Sequence, residues 1–253
     1  MNTPILYAGD TSLQSAAAYL GGILAHAGLA FDYVASDEPL SGVFDSAEHS
    51  LYIISDYPVK NLRDGDFARL VGRVRDGAGL LMIGGWESFH GAAGEYGGTP
   101  LAEVLPVEIA AADDRVNSAQ PCLVEKLCDH PIVAGLPLDR PPGVGGYNRV
   151  TAKAGATTIL AARHFTVSRA ADGSYAFTQG EAAPLLVVGS FGKGRTAAFA
   201  SDVAPHWVGG LVDWGDGRVV SRAPQPAAGE VEVGNWYAQL FTQLVTWTAG
   251  GAV

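Results

Sequence analysis

The stretch LLMIGGWESFHG, residues 80–91, decides which fold this chain can adopt. Its first four residues form an uninterrupted apolar run, the pattern of a strand that is buried on both faces of a parallel sheet. Gly84 and Gly85 follow directly, and glycine permits the backbone angles of a tight turn. The stretch therefore predicts a central strand that runs into a tight turn carrying polar and aromatic side chains.

The segments before this strand alternate between strand and helix patterns. Apolar strands are expected at residues 5–8, 31–34 and 50–54. A helix is expected to begin after a cap at Thr11 or Ser12 and to run to about Ala27, and residues 62–76 carry apolar side chains at helical spacing. Alternation of this kind predicts an α/β protein with a parallel sheet.

The pattern changes after Val104, where short strands are separated by turn-rich segments. Strands are expected at residues 158–161, 185–188 and 196–200, with a hairpin turn at residues 191–195 and a final helix over residues 235–249. The proline- and glycine-rich segment 139–146 is expected to be a loop. We therefore expect a single domain over residues 1–253.

Composition and charge exclude several classes of protein. The chain has 253 residues, of which 48% are hydrophobic and 17% charged, as in a globular protein with a sizeable core. Its net charge of −10 opposes binding to a phosphate backbone, so nucleic acid is not expected as a partner. The opening residues Met1, Asn2, Thr3 and Pro4 lead straight into a strand pattern, without the features of a secretory signal or a membrane span. We expect a cytoplasmic protein.

A series of short phrases along the chain resembles a known family. Beside the stretch at residues 80–91, the phrases are Gly9-Asp10, Ser55-Asp56-Tyr57, Gly98-Thr99-Pro100-Leu101, His130-Pro131-Ile132, Tyr147-Asn148, Gly192-Lys193-Gly194-Arg195 and Ser201-Asp202-Val203. This ordered set is similar to the class I glutamine amidotransferase-like proteins related to trehalose-utilisation-type proteins. The resemblance implies a flavodoxin-like parallel sheet flanked by helices, and the turn-rich pattern after Val104 indicates extra β-hairpin elements in the C-terminal half. The resemblance also implies a pocket at the carboxyl ends of the strands.

The resemblance does not imply glutaminase activity. Working amidotransferases carry a cysteine nucleophile on the turn after the central strand, and here Trp86 stands at that position. The two cysteines, Cys122 and Cys128, lie outside any strand-to-turn elbow, and their apolar neighbours favour buried thiols. We expect a protein that lacks the catalytic cysteine.

Candidate site residues follow the predicted strands, whose carboxyl ends share one edge of a parallel sheet. Glu87 and Ser88 could serve as catalytic groups or cap a following helix. His206 could be a base oriented by Asp202, or the pair could tie down its loop. Trp86 and Trp207 could stack on a ligand or fill the space where glutamine would bind, and we favour the second. The expected ligand-binding residues are Asp10, Asp56, Trp86, His90, Asp202 and Trp207, and the expected catalytic residues are Glu87, Ser88 and His206.

These residues leave the function open between two classes. The first is a ligand-binding or interaction module without glutaminase activity. The alternative is a hydrolase of altered chemistry that uses Ser88 or Glu87 with His206, with a sugar-related substrate as one option. His90, Asp56, Asp202 and His206 would make a mixed set of metal ligands, but no local spacing supports it, and neither metal nor cofactor is expected. The partner is a small molecule or a protein, and a homo-oligomer is one possibility.

Overall fold

The computed structural model describes residues 5–43 and 48–251. The opening residues 1–4, which entered the argument about a secretory signal, lie outside this part of the chain. The described helices are α1 Ala17–His26, α2 Asp64–Asp76, α3 Pro100–Val104, α4 Pro205–Val208 and α5 Asn235–Thr248. The described strands are β1 Ile5–Gly9, β2 Phe31–Val34, β3 Leu51–Ser55, β4 Gly79–Ile83, β5 Val107–Ile109, β6 Arg115–Lys126, β7 Gly143–Asn148, β8 Val150–Ala152, β9 Thr157–Arg169, β10 Tyr175–Phe191, β11 Gly194–Phe199, β12 Arg218–Arg222 and β13 Glu230–Gly234.

The first half of the main sheet is parallel and has the strand order β2-β1-β3-β4-β11. This is the flavodoxin-like order, and it confirms the expected α/β fold. All five residues of β4 are buried, as the apolar run at residues 80–83 predicts. Because these strands run in one direction, the loops after β1, β3, β4 and β11 meet at one edge of the sheet.

The second half of the sheet is antiparallel and continues in the order β10-β9-β6-β7. The predicted hairpin turn at residues 191–195 is confirmed, because β10 ends at Phe191 and β11 begins at Gly194. Strands β9 and β10 are longer than predicted, with 13 and 17 residues. The C-terminal part of β9 and the N-terminal part of β10 lie on the surface and contain no continuous apolar run, which is why the prediction missed them.

Helices pack around the parallel strands. Helix α1 contacts α5, β12 and β13, whereas α2 contacts α3. The predicted final helix is confirmed as α5, and its Phe241 meets Phe199 of β11 edge to face at 5.2 Å. The predicted start of α1 is wrong, because Ser12 Oγ accepts the N–H of Gln14 within a turn and the helix begins at Ala17.

No helix in the described ranges is long and apolar enough to cross a membrane.

Candidate functional site

Four acidic residues lie around the carboxyl ends of the parallel strands, and we call them the acidic edge: Asp10 after β1, Asp56 after β3, Glu87 after β4 and Asp202 after β11. Asp10 and Asp202 are buried, with 3% and 0% exposure. Electrostatic repulsion within the group raises the carboxyl pKa values of Asp10, Asp56 and Asp202 beyond the effect of burial alone. The fold therefore brings together acidic residues that lie up to 192 positions apart in the sequence, from Asp10 to Asp202.

Asp10 is held between β1 and β3. Its N–H donates to the carbonyl oxygen of Ser55 at 2.9 Å, and its Oδ2 accepts the Tyr7 hydroxyl at 2.6 Å. Burial raises the pKa of Asp10 to about 6, and the hydrogen bond from Tyr7 opposes this rise. The carboxyl group can therefore hold a proton near neutral pH.

Asp56 joins the end of β3 to the loop after β4. Its Oδ1 accepts the N–H of Glu87 at 2.7 Å, while its own N–H donates to Ser88 Oγ at 2.9 Å. Burial raises the pKa of Asp56 to about 7, and the negative charge of Asp10 adds to that rise. Asp56 is thus both a structural support of the loop and a second carboxyl group that titrates near neutral pH.

Asp202 lies beside His206. Its Oδ1 accepts the N–H groups of Val203 at 2.6 Å and Ala204 at 3.1 Å. His206 Nε2 lies 3.2 Å from Oδ2 but without hydrogen-bond geometry, so the buried Oδ2 has no such partner among the described residues. Burial, followed by the charges of Asp10 and Asp56, raises the pKa of Asp202 well above its ordinary value, and burial lowers the pKa of His206. Both shifts favour a protonated carboxyl beside a neutral imidazole.

The loop at residues 84–91 is held by two side chains from the antiparallel half. Asn148 Oδ1 accepts the N–H of Gly85 at 2.9 Å, and Asn148 Nδ2 donates to the carbonyl oxygen of Gly85 at 3.1 Å. Asp114 accepts the N–H of His90 at 3.0 Å, the N–H of Gly91 at 2.9 Å and Asn148 Nδ2 at 2.7 Å. Asp114 and Asn148 are buried and were not predicted as site residues.

The expected helix after the loop is missing. Residues 84–99 form bends and turns, and the next helix, α3, begins at Pro100. The suggestion that Glu87 and Ser88 cap a following helix is therefore wrong. The structural reason is that side chains of Asp56, Asp114 and Asn148 bind N–H groups along the loop.

The two tryptophans of the predicted site lie in different environments. Trp86 is 49% exposed, and the guanidinium carbon of Arg115 lies 4.5 Å from the centre of its ring. The preferred suggestion that Trp86 fills a buried space is therefore wrong. Trp207 is buried instead, donates from Nε1 to Asn117 Oδ1 at 2.6 Å and packs so closely on Gly146 that a Cβ there would lie 2.1 Å from Nε1.

The remaining predicted site residues, Glu87, Ser88 and His90, differ in burial and in their partners. Ser88 is fully buried, its Oγ accepts the Asp56 N–H, and no hydrogen bond joins it to His206 in the part of the chain that the structure describes. Glu87 is half-buried, and burial raises its pKa, while the charge of Lys60 lowers it. His90 is half-buried, and its N–H donates to Asp114 Oδ2 at 3.0 Å. The catalytic roles of these residues stay predictions.

Metal-binding and thiol chemistry find little support in the described geometry. No group of three or more His, Cys, Asp or Glu side chains within residues 5–43 and 48–251 is arranged to hold a metal ion. Cys122 is buried in β6, and burial raises its thiol pKa, which disfavours the reactive thiolate. Cys128 Sγ donates to the carbonyl oxygen of Thr158 at 3.7 Å.

Solved structures with the same fold cover nearly the whole chain. The cytoplasmic proteins STM3548 and STM1381 of Salmonella typhimurium are 24% and 23% identical to it, each with a TM-score of 0.69 over 97% of this chain and 98% and 99% of theirs. A "Putative thua-like protein" of Parabacteroides merdae is 14% identical, with a TM-score of 0.60 over 99% of this chain and 91% of its own. These similarities show the fold.

No curated protein matches the chain. The family described as "Putative glutamine amidotransferase" matches residues 63–219, which include the loop after β4, Asn148 and Asp202. This match spans more than half of the 253 residues. The chain therefore belongs to this glutamine amidotransferase-like family.

Proposed function

We propose that this member of the family does not hydrolyse glutamine and instead binds a small polar ligand at the acidic edge. The observation that carries the proposal is the bonding of the N–H groups in the loop after β4. The N–H of Gly85 donates to Asn148 Oδ1, and the N–H of Glu87 donates to Asp56 Oδ1. Amide hydrolysis needs such groups free to stabilise the negative oxygen that forms during attack.

The side chains of the loop support the same proposal. Trp86, at the position that the resemblance gives to the nucleophile, carries an indole that cannot attack a carbonyl carbon. Ser88 is buried, and its oxygen is bound to the N–H of Asp56. Neither cysteine contributes, because Cys122 lies within β6 and Cys128 follows that strand.

The protonation of the acidic edge indicates the kind of ligand. Carboxyl groups with raised pKa values can donate a hydrogen bond as well as accept one, which suits hydroxyl and amide groups. The buried Oδ2 of Asp202 has no hydrogen-bond partner in the described ranges, so it can donate a hydrogen bond when protonated and accept one when ionised. The half-exposed ring of Trp86 adds a flat apolar surface next to Glu87. We therefore propose a neutral ligand that carries several hydroxyl or amide groups.

A glutaminase assay tests the first half of the proposal. The wild-type protein is expected to release no ammonia from glutamine above the rate of buffer alone. Ammonia release that disappears in Cys122→Ala or Cys128→Ala would contradict the proposal, and both variants should otherwise be indistinguishable from the wild type.

A binding screen tests the second half. Neutral polyols, sugars and amides are titrated against the wild-type protein, with binding followed by calorimetry. Asp202→Asn is expected to weaken binding of any hit by about tenfold or more, since one buried acceptor is replaced. The matched control is Asp213→Asn, which removes an exposed aspartate paired with Arg218 and should leave binding unchanged. Equal effects of the two variants would exclude the acidic edge as the site.

A hydrolase remains a second candidate because burial shifts the pKa values of two groups at the edge in the directions that suit an acid and a base. Burial raises the pKa of Glu87, which favours the protonated carboxyl of an acid, and lowers that of His206, which favours the neutral imidazole of a base. The candidate predicts turnover that is lost in both Glu87→Gln and His206→Gln, measured against the same ligands. Binding without turnover would remove it.

The setting of the protein is also a proposal. The two Salmonella neighbours are named as cytoplasmic proteins, and we propose the same location here. The net charge of −10 supports a partner other than nucleic acid.

A further inference from the structure

A two-stranded arm extends from the antiparallel half of the sheet. It consists of residues 165–169 of β9 paired with residues 175–179 of β10, and nearly all of its residues are exposed. An isolated pair of strands is marginally stable in water. An arm of this length therefore gains stability if another surface covers it.

One face of the arm is apolar. Opposite residues of an antiparallel pair point to the same side, so Phe165, Val167, Tyr175 and Phe177 share one face. The other face carries Thr166, Ser168, Ala176 and Thr178. Tyr175 is 63% exposed and Phe177 69%, far more than such rings usually are in a monomer.

The apolar face continues onto the body of the protein. Leu123 of β6 lies opposite Arg163 of β9, which places Leu123 on the same side of the sheet as Phe165. Among the seven large hydrophobic side chains that are exposed in the described ranges, five follow this face: Leu123, Leu127, Val167, Tyr175 and Phe177. At the base of the arm the face opens into a groove of about 560 Å³, lined by Leu123, Leu136, Leu138 and Phe165 and by four charged side chains, of which Asp139 is one.

The size of this face suits a contact between protein surfaces. The two aromatic rings alone expose on the order of 250 Å², given that each such side chain has roughly 150–250 Å² to bury. The three exposed aliphatic side chains and the groove add further area, and each partner of a standard interface contributes roughly 800 Å² with its polar surface included.

The charges favour a second copy of this chain as the occupant. Two copies with a net charge of −10 each repel one another over most of their surfaces. Between residues 157 and 191, however, two arginines cancel one aspartate and one glutamate, so this region is formally neutral. The arm carries Arg169 near its tip on the apolar side, and the groove carries Asp139, neither of them in an ion pair among the described residues.

We propose that two copies of this chain form a two-fold symmetric dimer through this face. The arm of each copy covers the groove of the other, so that Tyr175 and Phe177 are buried and Arg169 meets Asp139 of the second copy. A two-fold axis requires one patch to complement itself. This surface does so, because an apolar arm with Arg169 near its tip lies at one end and a groove with leucine side chains and Asp139 lies at the other. This interaction is independent of what the acidic edge binds.

Sedimentation equilibrium with two neighbouring variants tests the proposal. The wild type is expected to dimerise with a dissociation constant on the order of micromolar or tighter. Val167→Lys places a charge on the apolar face and is expected to weaken dimerisation by about 30-fold or more. Thr166→Lys adds the same charge on the opposite face of the same strand and should leave the dimer intact. A monomeric wild type, or equal effects of the two lysines, would overturn the proposal.

A charge exchange tests whether the second copy itself supplies the contact. Arg169→Asp and Asp139→Arg are each expected to weaken the dimer about threefold to tenfold, as loss of an interfacial charge pair does. The double variant, which reverses the pair, is expected to regain most of the lost affinity. Additive weakening in the double variant would show that the tip of the arm does not meet the groove.

Discussion

At the scale of single residues, the edge of the sheet depends on two aspartates with unusual backbone angles. Asp10 and Asp56 each follow a strand and have φ values of 44° and 45°, a left-handed conformation that aspartate tolerates better than most residues. The sequence predicted that both would lie at this edge, because strand ends of a parallel sheet converge. It did not predict their burial or their pKa values, which depend on neighbours from other strands.

Replacing Asp56 with asparagine is expected to stabilise the protein at alkaline pH. The folded-state pKa of Asp56 is about 7 and its ordinary value is 3.8, so the native state holds a proton that the unfolded chain has lost. Stability therefore falls as the pH rises through this window, and the full cost applies above pH 7. Asparagine keeps the Oδ1 that accepts the Glu87 N–H. Urea unfolding at about pH 8 should show a gain of roughly 1 kcal/mol or more over the wild type.

The same comparison at about pH 3 should show little difference, since Asp56 is then mostly protonated in both states. Asp37→Asn serves as the control, because Asp37 is exposed. An equal gain at both pH values would mean that the substitution acts through something other than the charge of Asp56.

At the scale of elements, β4 could be predicted from the sequence, whereas the structure of the loop after it could not. The apolar run at residues 80–83 predicted β4, because local hydrophobic pattern determines a buried strand. The absence of a following helix was not predictable from local pattern, because the acceptors for the loop come from Asp114 and Asn148, which are distant in sequence. Nothing in the pair Asp113-Asp114 indicates which of the two carboxyls turns inward.

Substitutions of Asp113 and Asp114 test which of the two carboxyl groups stabilises the loop after β4. Asp114→Ala removes the acceptor of the His90 and Gly91 N–H groups and of Asn148 Nδ2, and all three belong to a buried network. Leaving buried donors unpaired costs about 1–3 kcal/mol each, so a loss of about 3 kcal/mol in the free energy of unfolding is expected. Asp113→Ala breaks an ion pair with Arg115 and an exposed hydrogen bond from the Arg115 N–H, and should change the stability much less. Similar losses in the two variants, measured by urea unfolding, would contradict the network.

At the scale of the whole molecule, a parallel half that presents the acidic edge is joined to an antiparallel half that presents the arm. The parallel half could be predicted from alternating strand and helix patterns. The arm was not predicted, although alternating apolar and polar residues on either side of Asp172-Gly173 are a hairpin signal. Its length and its shared apolar face follow only from the pairing of β9 with β10.

Dimerisation through the arm predicts that thermal stability depends on concentration. A dimer that forms only from folded copies raises the midpoint of unfolding as the protein concentration increases. Scanning calorimetry of the wild type over about a hundredfold range should show this rise, and Val167→Lys should abolish it. A midpoint that does not change with concentration in the wild type would count against the dimer.

The bonded N–H groups of the loop after β4 also bear on how this branch of the family could have evolved. Restoring a thiol by Trp86→Cys would supply a nucleophile, yet the N–H of Glu87 would still be held by Asp56 and that of Gly85 by Asn148. On the proposed function, glutaminase chemistry would thus need coordinated changes on three segments of the chain, and those at Asp56 and Asn148 remove support from the loop before any activity appears. Such a path passes through destabilised intermediates, so no single substitution is expected to give the reaction.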